Sequence, residues 1–415
     1  MSRTLRERSG PVNPRRGPRL NAFKSADDRA TVLPDIEGPR FLGELLGDPL
    51  KTRFELRSCA AAWLLCAAAI MSPALSAADA THEIRLTIAS SHTTGLPWVG
   101  VMSSLVVPKS NERLEALGSP YRIRWTETYG GALYKFQHTL EAVEIGLTDI
   151  GWVGTLWELS KMPLQNVTYY TPFVTDDYRM VMEIFNELHT THAPLIAAWE
   201  KQNQRFLGGS AVDTYHLMTN FPVRSVDDLR GRKILAPGPS ASWLEGTGAV
   251  AVEGGLSTYY TQIQTGVADG VLTILSGALP YRIHEVAPYI TLVGIGAQLT
   301  GGMAINLDTW RSLPAELQQI LADLGREYSQ GIADEIDVRY ERALEQMQQE
   351  GAIVYEMPVE ERRRWLDGMP NIAAAWAAAT EKRGYPAREA IKVYMEAVRA
   401  RGGTPLRDWD LLESP

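Results

Sequence analysis

The sequence predicts an α/β protein built as two lobes, and three observations lead there. Strand-like segments alternate with helical ones along most of the chain, the signature of parallel α/β units rather than a sandwich. A secretory leader ends near residue 78, and the 337 residues after it are long for one core but enough for two. The block 225–277 runs turn, strand, loop, helix, turn, helix and strand in a single stretch.

The leader is read from charge and hydropathy. Residues 59–71 are uncharged and mostly apolar, stand behind Lys51, Arg53 and Arg57, and are followed by small residues at Ala74, Ser76, Ala77 and Ala78. That is a signal peptide over 51–78, too short in its apolar run to remain as a membrane span, with cleavage near Ala78 or Ala77. The expected location is the periplasm. Both cysteines, Cys59 and Cys66, fall inside the removed segment, so the mature chain has no disulfide, thiol nucleophile or cysteine metal site. Trp63-Leu64-Leu65 before Cys66 is a poor lipidation box. Residues 1–50 are rich in arginine and proline without apolar periodicity, and are read as a non-native or disordered extension ahead of a true start near Leu50. Removing 1–78, which carries 12 Lys and Arg against 8 Asp and Glu, takes the net charge from −8 to −12. An acidic exported chain is a poor candidate for nucleic acid or an anionic membrane surface.

Residues 82–88 alternate as a half-buried strand does, and the loop Ser90-Ser91-His92 leads into a helical stretch over 98–117. A strand at 121–125, the turn Tyr129-Gly130-Gly131, a helix at 139–145 and a strand at 148–152 follow. Two strands flank Gly208-Gly209 over 206–219; Gly208-Gly209, Gly254-Gly255 and Gly301-Gly302 read as turns. The strand 232–236 is broken by Pro237-Gly238-Pro239, which releases the chain where backbone groups can face a ligand. A helix starts at Ser240, Ser242 and Trp243, a second runs from Leu256 to Gly266, and strands follow from Gly270 and over 289–293. From Ser312, read as N-cap with Pro314 in the first turn, Leu317, Ile320, Leu321, Leu324 and Tyr328 form the apolar stripe of a long helix. Continued past Gly331 toward Gly351, it is long enough to cross both lobes, and two helices separated by Gly384-Tyr385-Pro386 close the chain.

Several pieces occur together in a recognisable order: Glu144-x-Gly146-x-x-Asp149, Pro172-Phe173, Asp228-Leu229-Arg230-Gly231, Tyr260, and Thr265-Gly266-Val267-Ala268-Asp269-Gly270. The chain resembles the solute receptors of TRAP transporters, the DctP-like periplasmic binding proteins. The resemblance implies a two-lobed periplasmic-binding-protein fold with a hinge and long C-terminal helices. It divides the chain into lobe I, 82–212 plus 299–338, and lobe II, 213–298 plus 339–415. It also implies a receptor that closes on a small organic acid and delivers it to membrane TRAP permease subunits; no cofactor is expected, and the long C-terminal helices leave either a monomer or a homodimer open.

The family's carboxylate-clamping arginine falls at Leu235, and a leucine cannot donate the paired hydrogen bonds of a guanidinium. The family's asparagine after the glycine-rich turn falls at Thr273, and a second basic position at His216. A histidine there either meets an anion, with affinity rising as pH falls, or is tucked into a strand. The other expected ligand-facing residues are Ser91, His92, Tyr129, Trp152, Pro237, Trp243 and Leu256. Trp157, Tyr259 and Tyr260 add to the aromatic character of the region, which suits a carboxylate or sulfonate carrying a ring. Each tryptophan and tyrosine also has a plain core reading, and each serine a capping one.

Catalytic and metal constellations are missing. His189 and His192 share a helix face but lack a third ligand, and neither a G-x-S-x-G elbow nor a GxxxxGK[ST] loop occurs. The expectation is therefore a binding protein and not an enzyme. The alternatives are a periplasmic ligand sensor and an α/β hydrolase or lyase.

Overall fold

The computed structural model describes residues 81–411. The leader, its cleavage point, both cysteines and the extension 1–50 lie outside the described residues.

Among the described residues, eleven strands form two sheets. The first has the order β2-β1-β3-β10-β4, built from β1 (His82–Ala89), β2 (Tyr121–Thr128), β3 (Ile150–Val153), β4 (Gln204–Val212) and β10 (Gln298–Asn306). The second has the order β11-β9-β5-β8-β6-β7, from β5 (Tyr215–Thr219), β6 (Lys233–Leu235), β7 (Val250–Val252), β8 (Gly270–Ile274), β9 (Tyr289–Leu292) and β11 (Ile353–Glu356). β1 pairs in parallel with β2 and β3, as the alternating strand–helix pattern predicts, whereas β10 is antiparallel to β3 and β4. The reason is connectivity. β4 continues through Asp213 and Thr214 into β5 of the other sheet, and β9 returns through 293–297 into β10, so these strands run in opposite senses at the hinge.

The third crossing is a helix of 35 residues, Ala315–Gln349. Its stripe Leu317, Ile320, Leu321, Leu324, Tyr328, Ile332 and Ile336 lies in the main core, and Ala343 and Met347 enter the core of the second sheet. Burying each such side chain contributes about 1.5–3 kcal/mol, so one helix ties the lobes together. Its N-cap is Pro314; Ser312 instead ends a short preceding helix, Leu307–Ser312, capped by Asn306.

Two glycine pairs read as turns lie inside strands. Gly208-Gly209 is in β4 and Gly301-Gly302 in β10. A Cβ on Gly208 would stand 2.0 Å from the Gly325 carbonyl oxygen of the long helix, and one on Gly301 1.8 Å from the Val153 oxygen. The missing side chains let helix and strands approach backbone to backbone.

The C-terminal segment departs from the expected division. Val359–Gly368 stays beside the second lobe, where Trp365 Nε1 donates to the Trp243 carbonyl at 2.7 Å. The last two helices, Ile372–Glu381 and Ala387–Ala400, return to the first lobe. The Leu406 N–H donates to the Phe173 carbonyl and Trp409 Nε1 to the Pro172 carbonyl, and Arg401 pairs with Glu187. Assigning all of 339–415 to lobe II is thus corrected: residues 372–411 form a strap on lobe I.

Candidate functional site

A cavity opens between the lobes at the carboxyl ends of β3, β6 and β8, where ligands sit in open α/β sheets. The first lobe supplies a wall of tryptophans. Trp98 comes from the start of a helix opened by Pro97, Trp152 from β3, and Trp157 from the short turn Thr155–Trp157. Trp98 and Trp152 have ring centroids 5.7 Å apart, and Trp152 and Trp157 6.0 Å apart. Gly154 makes this possible: a Cβ there would stand 2.5 Å from the Trp157 ring and 2.9 Å from the Trp152 ring. His92 from the loop after β1 packs among all three, at 5.9, 5.0 and 5.9 Å. The second lobe closes the space with Pro237, Leu256, Tyr259, Leu272, Thr273 and Ile274, and Val212, Tyr215 and Thr300 come from the hinge strands and β10.

The polar groups are few. Trp152 Nε1 donates to Ser210 Oγ at 2.8 Å, and Thr300 Oγ1 donates to the Ser210 carbonyl at 3.0 Å. The indole N–H groups of Trp98 and Trp157 are buried without an acceptor. Leaving such a donor unpaired costs about 1–3 kcal/mol, which an acceptor on a ligand would recover. Among the described residues no lysine, arginine, aspartate or glutamate lines the cavity. Burial pushes the His92 imidazole down to about 4. The free space is about 50 Å³, well short of the ~300 Å³ or more typical of small-molecule sites.

Of the residues expected from sequence, His92, Trp152, Pro237, Leu256 and Thr273 line this cavity together. The others sit elsewhere. Ser91 lies beside the His92 ring, its Oγ 3.4 Å from Nδ1. Tyr129 is half-buried near Glu127 and Ser103, outside the cavity. Trp243 is wholly buried between the lobes, stacked on Tyr169 at 5.6 Å with its N–H donated to the Tyr169 carbonyl at 2.6 Å. Leu235 is wholly buried with Tyr259 and Ile263 in the second lobe's apolar core, so its side chain is not exposed to a ligand. The hydroxyls of Ser240 and Ser242 donate to the carbonyls of Pro237 and Pro239 rather than facing an acid.

His216 is likewise corrected. It lines a separate cavity of about 570 Å³ at the hinge, with Asp213, Tyr340 and Arg362. Its Nδ1 accepts the Gly294 N–H at 3.1 Å and its Nε2 lies 2.9 Å from Tyr340 Oη. Burial and the Arg362 charge hold it down to about 3, so in the free protein the ring is neutral, with both nitrogens engaged by Gly294 and Tyr340 at the hinge. Trp98, Tyr215 and Thr300 escaped the sequence reading. Trp98 had a signal: Pro97 places it at a helix start directly after the loop that bears His92.

These histidines have a consequence for stability. Burial keeps His92, His189 and His216 neutral in the fold, at about 4, 4 and 3, whereas in the unfolded chain each charges below about 6.5. Asp213 acts in the opposite sense: burial raises it to about 6, so between pH 4 and 6 the fold holds a proton that the unfolded chain releases. Three groups against one leave the unfolded chain with about two more protons between pH 4.5 and 6, a slope of roughly 2–3 kcal/mol per pH unit. The melting temperature is expected to fall steadily from pH 6.5 to 4.5 in scanning calorimetry. A flat or rising profile would contradict the neutral assignments.

The fold and cavity define a class: a two-lobed α/β protein with a cleft between its lobes. Residues 122–379 match the family of bacterial extracellular solute-binding proteins, family 7 (DctP), and the chain belongs to that family of TRAP solute receptors, which are binding proteins and not enzymes. It is 25% identical over 272 residues to the C4-dicarboxylate-binding periplasmic protein DctP of Rhodobacter capsulatus, covering 60% of this chain and 79% of that one. A TRAP solute-binding protein of Rhodoferax ferrireducens, solved with copurified benzoate, superposes with a TM-score of 0.67 at 16% identity over 77% of this chain and 98% of its own. One of Pseudomonas putida with bound D-glucuronate gives 0.59 at 20% identity over 72% and 94%. At these identities the two solved structures share the fold.

Proposed function

We propose that this receptor binds a small organic acid carrying an apolar or aromatic ring, a carboxylate or a sulfonate, and delivers it to the membrane subunits of a TRAP permease. The observation that carries the reading is the wall of Trp98, Trp152 and Trp157 with two unpaired indole donors and no guanidinium. Indole faces hold a ring by offset or edge contacts, and N–H groups hydrogen-bond an anionic oxygen for about 1.5–3 kcal/mol each. Among ligands bound by relatives, benzoate fits this lining better than D-glucuronate, whose hydroxyls would find few partners beyond Thr273 and Thr300. The receptor would act in the periplasm after cleavage near Ala77 or Ala78, as a monomer or homodimer.

A thermal-shift panel tests this. Benzoate and benzenesulfonate at saturating excess are expected to raise the melting temperature by several degrees through mass action, with succinate and D-glucuronate giving little. A shift with D-glucuronate and none with benzoate would reverse the assignment.

A further inference from the structure

His92 is the one ionisable side chain of the first-lobe wall. From the helix start, from β3 and from the turn after it, the groups facing its ring are the indoles of Trp98, Trp152 and Trp157. Its own loop contributes the Ser91 hydroxyl beside Nδ1. Nε2 has no hydrogen-bond partner among the described residues. Among the described residues, the other ionisable groups across the cavity are the phenols of Tyr215 and Tyr259, and burial keeps both protonated, Tyr215 pushed up to about 12 and Tyr259 well above its ordinary value.

An anion entering such a site without a counter-charge is strongly disfavoured, and so is an imidazolium without an anion. Each supplies what the other lacks, since an opposite charge within a few ångströms favours the charged form of both. We propose that His92 takes one proton from solvent as an acidic ligand enters, so that the ligand is held against the His92 imidazolium and binding is coupled to proton uptake. The free ring sits at about 4, so the empty receptor near neutral pH carries no charge there. This inference rests on the acid reading above. It assigns to His92 the counter-charge that Leu235 does not provide.

The test is calorimetric titration of the purified protein with benzoate and with benzenesulfonate, in buffers of different ionisation enthalpy between about pH 5 and 6, above the free ring's value and below the value an adjacent anion would raise it to. Uptake approaching one proton per ligand is expected for both, with Kd tightening about tenfold per pH unit lowered. His92→Gln is expected to bind both more weakly, without uptake and without pH dependence. Benzenesulfonate cannot itself carry the proton, so its binding to the native protein without uptake would overturn the proposal. Benzoate uptake undiminished in His92→Gln would also overturn it by placing the proton on the ligand. Should that variant not fold, the ring ¹⁵N shifts of His92 in the native protein decide: imidazolium with benzenesulfonate bound supports the proposal, neutral imidazole refutes it. If neither acid binds while neutral compounds do, the acid reading fails and this inference with it.

Discussion

Gly208→Ala is expected to lower stability by about 3 kcal/mol or more, because its Cβ would lie 2.0 Å from the Gly325 carbonyl oxygen and 2.8 Å from its carbon. Both clashing atoms are backbone of the long helix, and the new Cβ is fixed on the backbone of β4, so nothing can swing aside as a side chain would. Relief requires the helix to lift from the sheet, loosening the packing of Leu324, Tyr328 and Ile332. The same helix crosses to the second lobe, so the displacement would also disturb the hinge. The neighbouring Gly209→Ala provides the comparison. Its Cβ would meet the Asn186 Oδ1 at 3.3 Å, a side-chain acceptor of the Gly209 N–H and Ser329 hydroxyl that need give by only a few tenths of an ångström, so its cost should be much smaller. Thermal unfolding of the two variants is expected to separate them by roughly 3–5 °C, since a fold of this length loses only about 1.5 °C per kcal/mol, and equal melting temperatures would show that the helix is not seated on this glycine.

The second large effect concerns binding. The double change Trp98→Phe with Trp157→Phe keeps aromatic rings in the wall but removes both unpaired indole donors. In the free protein it should cost less than the lost ring volume suggests, because two buried unsatisfied groups disappear with it. Benzoate affinity should fall on the order of 100-fold, at about 1.5–3 kcal/mol for each hydrogen bond to an anion with partial compensation by water. Benzamide, which is uncharged, should lose much less. A matching loss for benzoate and benzamide would mean the indoles act through shape alone.

Much of the fold is legible in the sequence, and the misreadings have physical causes. Alternation exposes β1 at once, since one of its faces is half-exposed, and the stripe from Leu317 to Tyr328 exposes the long helix. β10, buried at every position, shows no alternation, and its Gly301-Gly302 looks like a turn unless the approach of Val153 is known. The last two helices are correctly separated at Gly384-Tyr385-Pro386, but their docking depends on the stack of Trp376 on Tyr170 and on bonds from Leu406 and Trp409 in the following tail to Phe173 and Pro172, all about two hundred or more residues away. At the site, residues next to strand ends, such as His92, Trp152 and Pro237, are recoverable from position alone. Leu235 and His216 are not, because β6 and β5 are buried on both faces and an alignment does not say which face meets the cleft. Thr300 and Tyr215 join the site only through the β9–β10 and β4–β5 crossings, which no local pattern announces.

The most direct measurement of the central claim is the calorimetric affinity of the purified protein for benzoate beside D-glucuronate. The tryptophan-walled cavity without a guanidinium predicts that benzoate binds at least tenfold more tightly and with a negative heat-capacity change from apolar burial. Tighter binding of D-glucuronate, or benzoate binding untouched by the paired tryptophan replacements, would place the ligand somewhere other than against Trp98, Trp152 and Trp157.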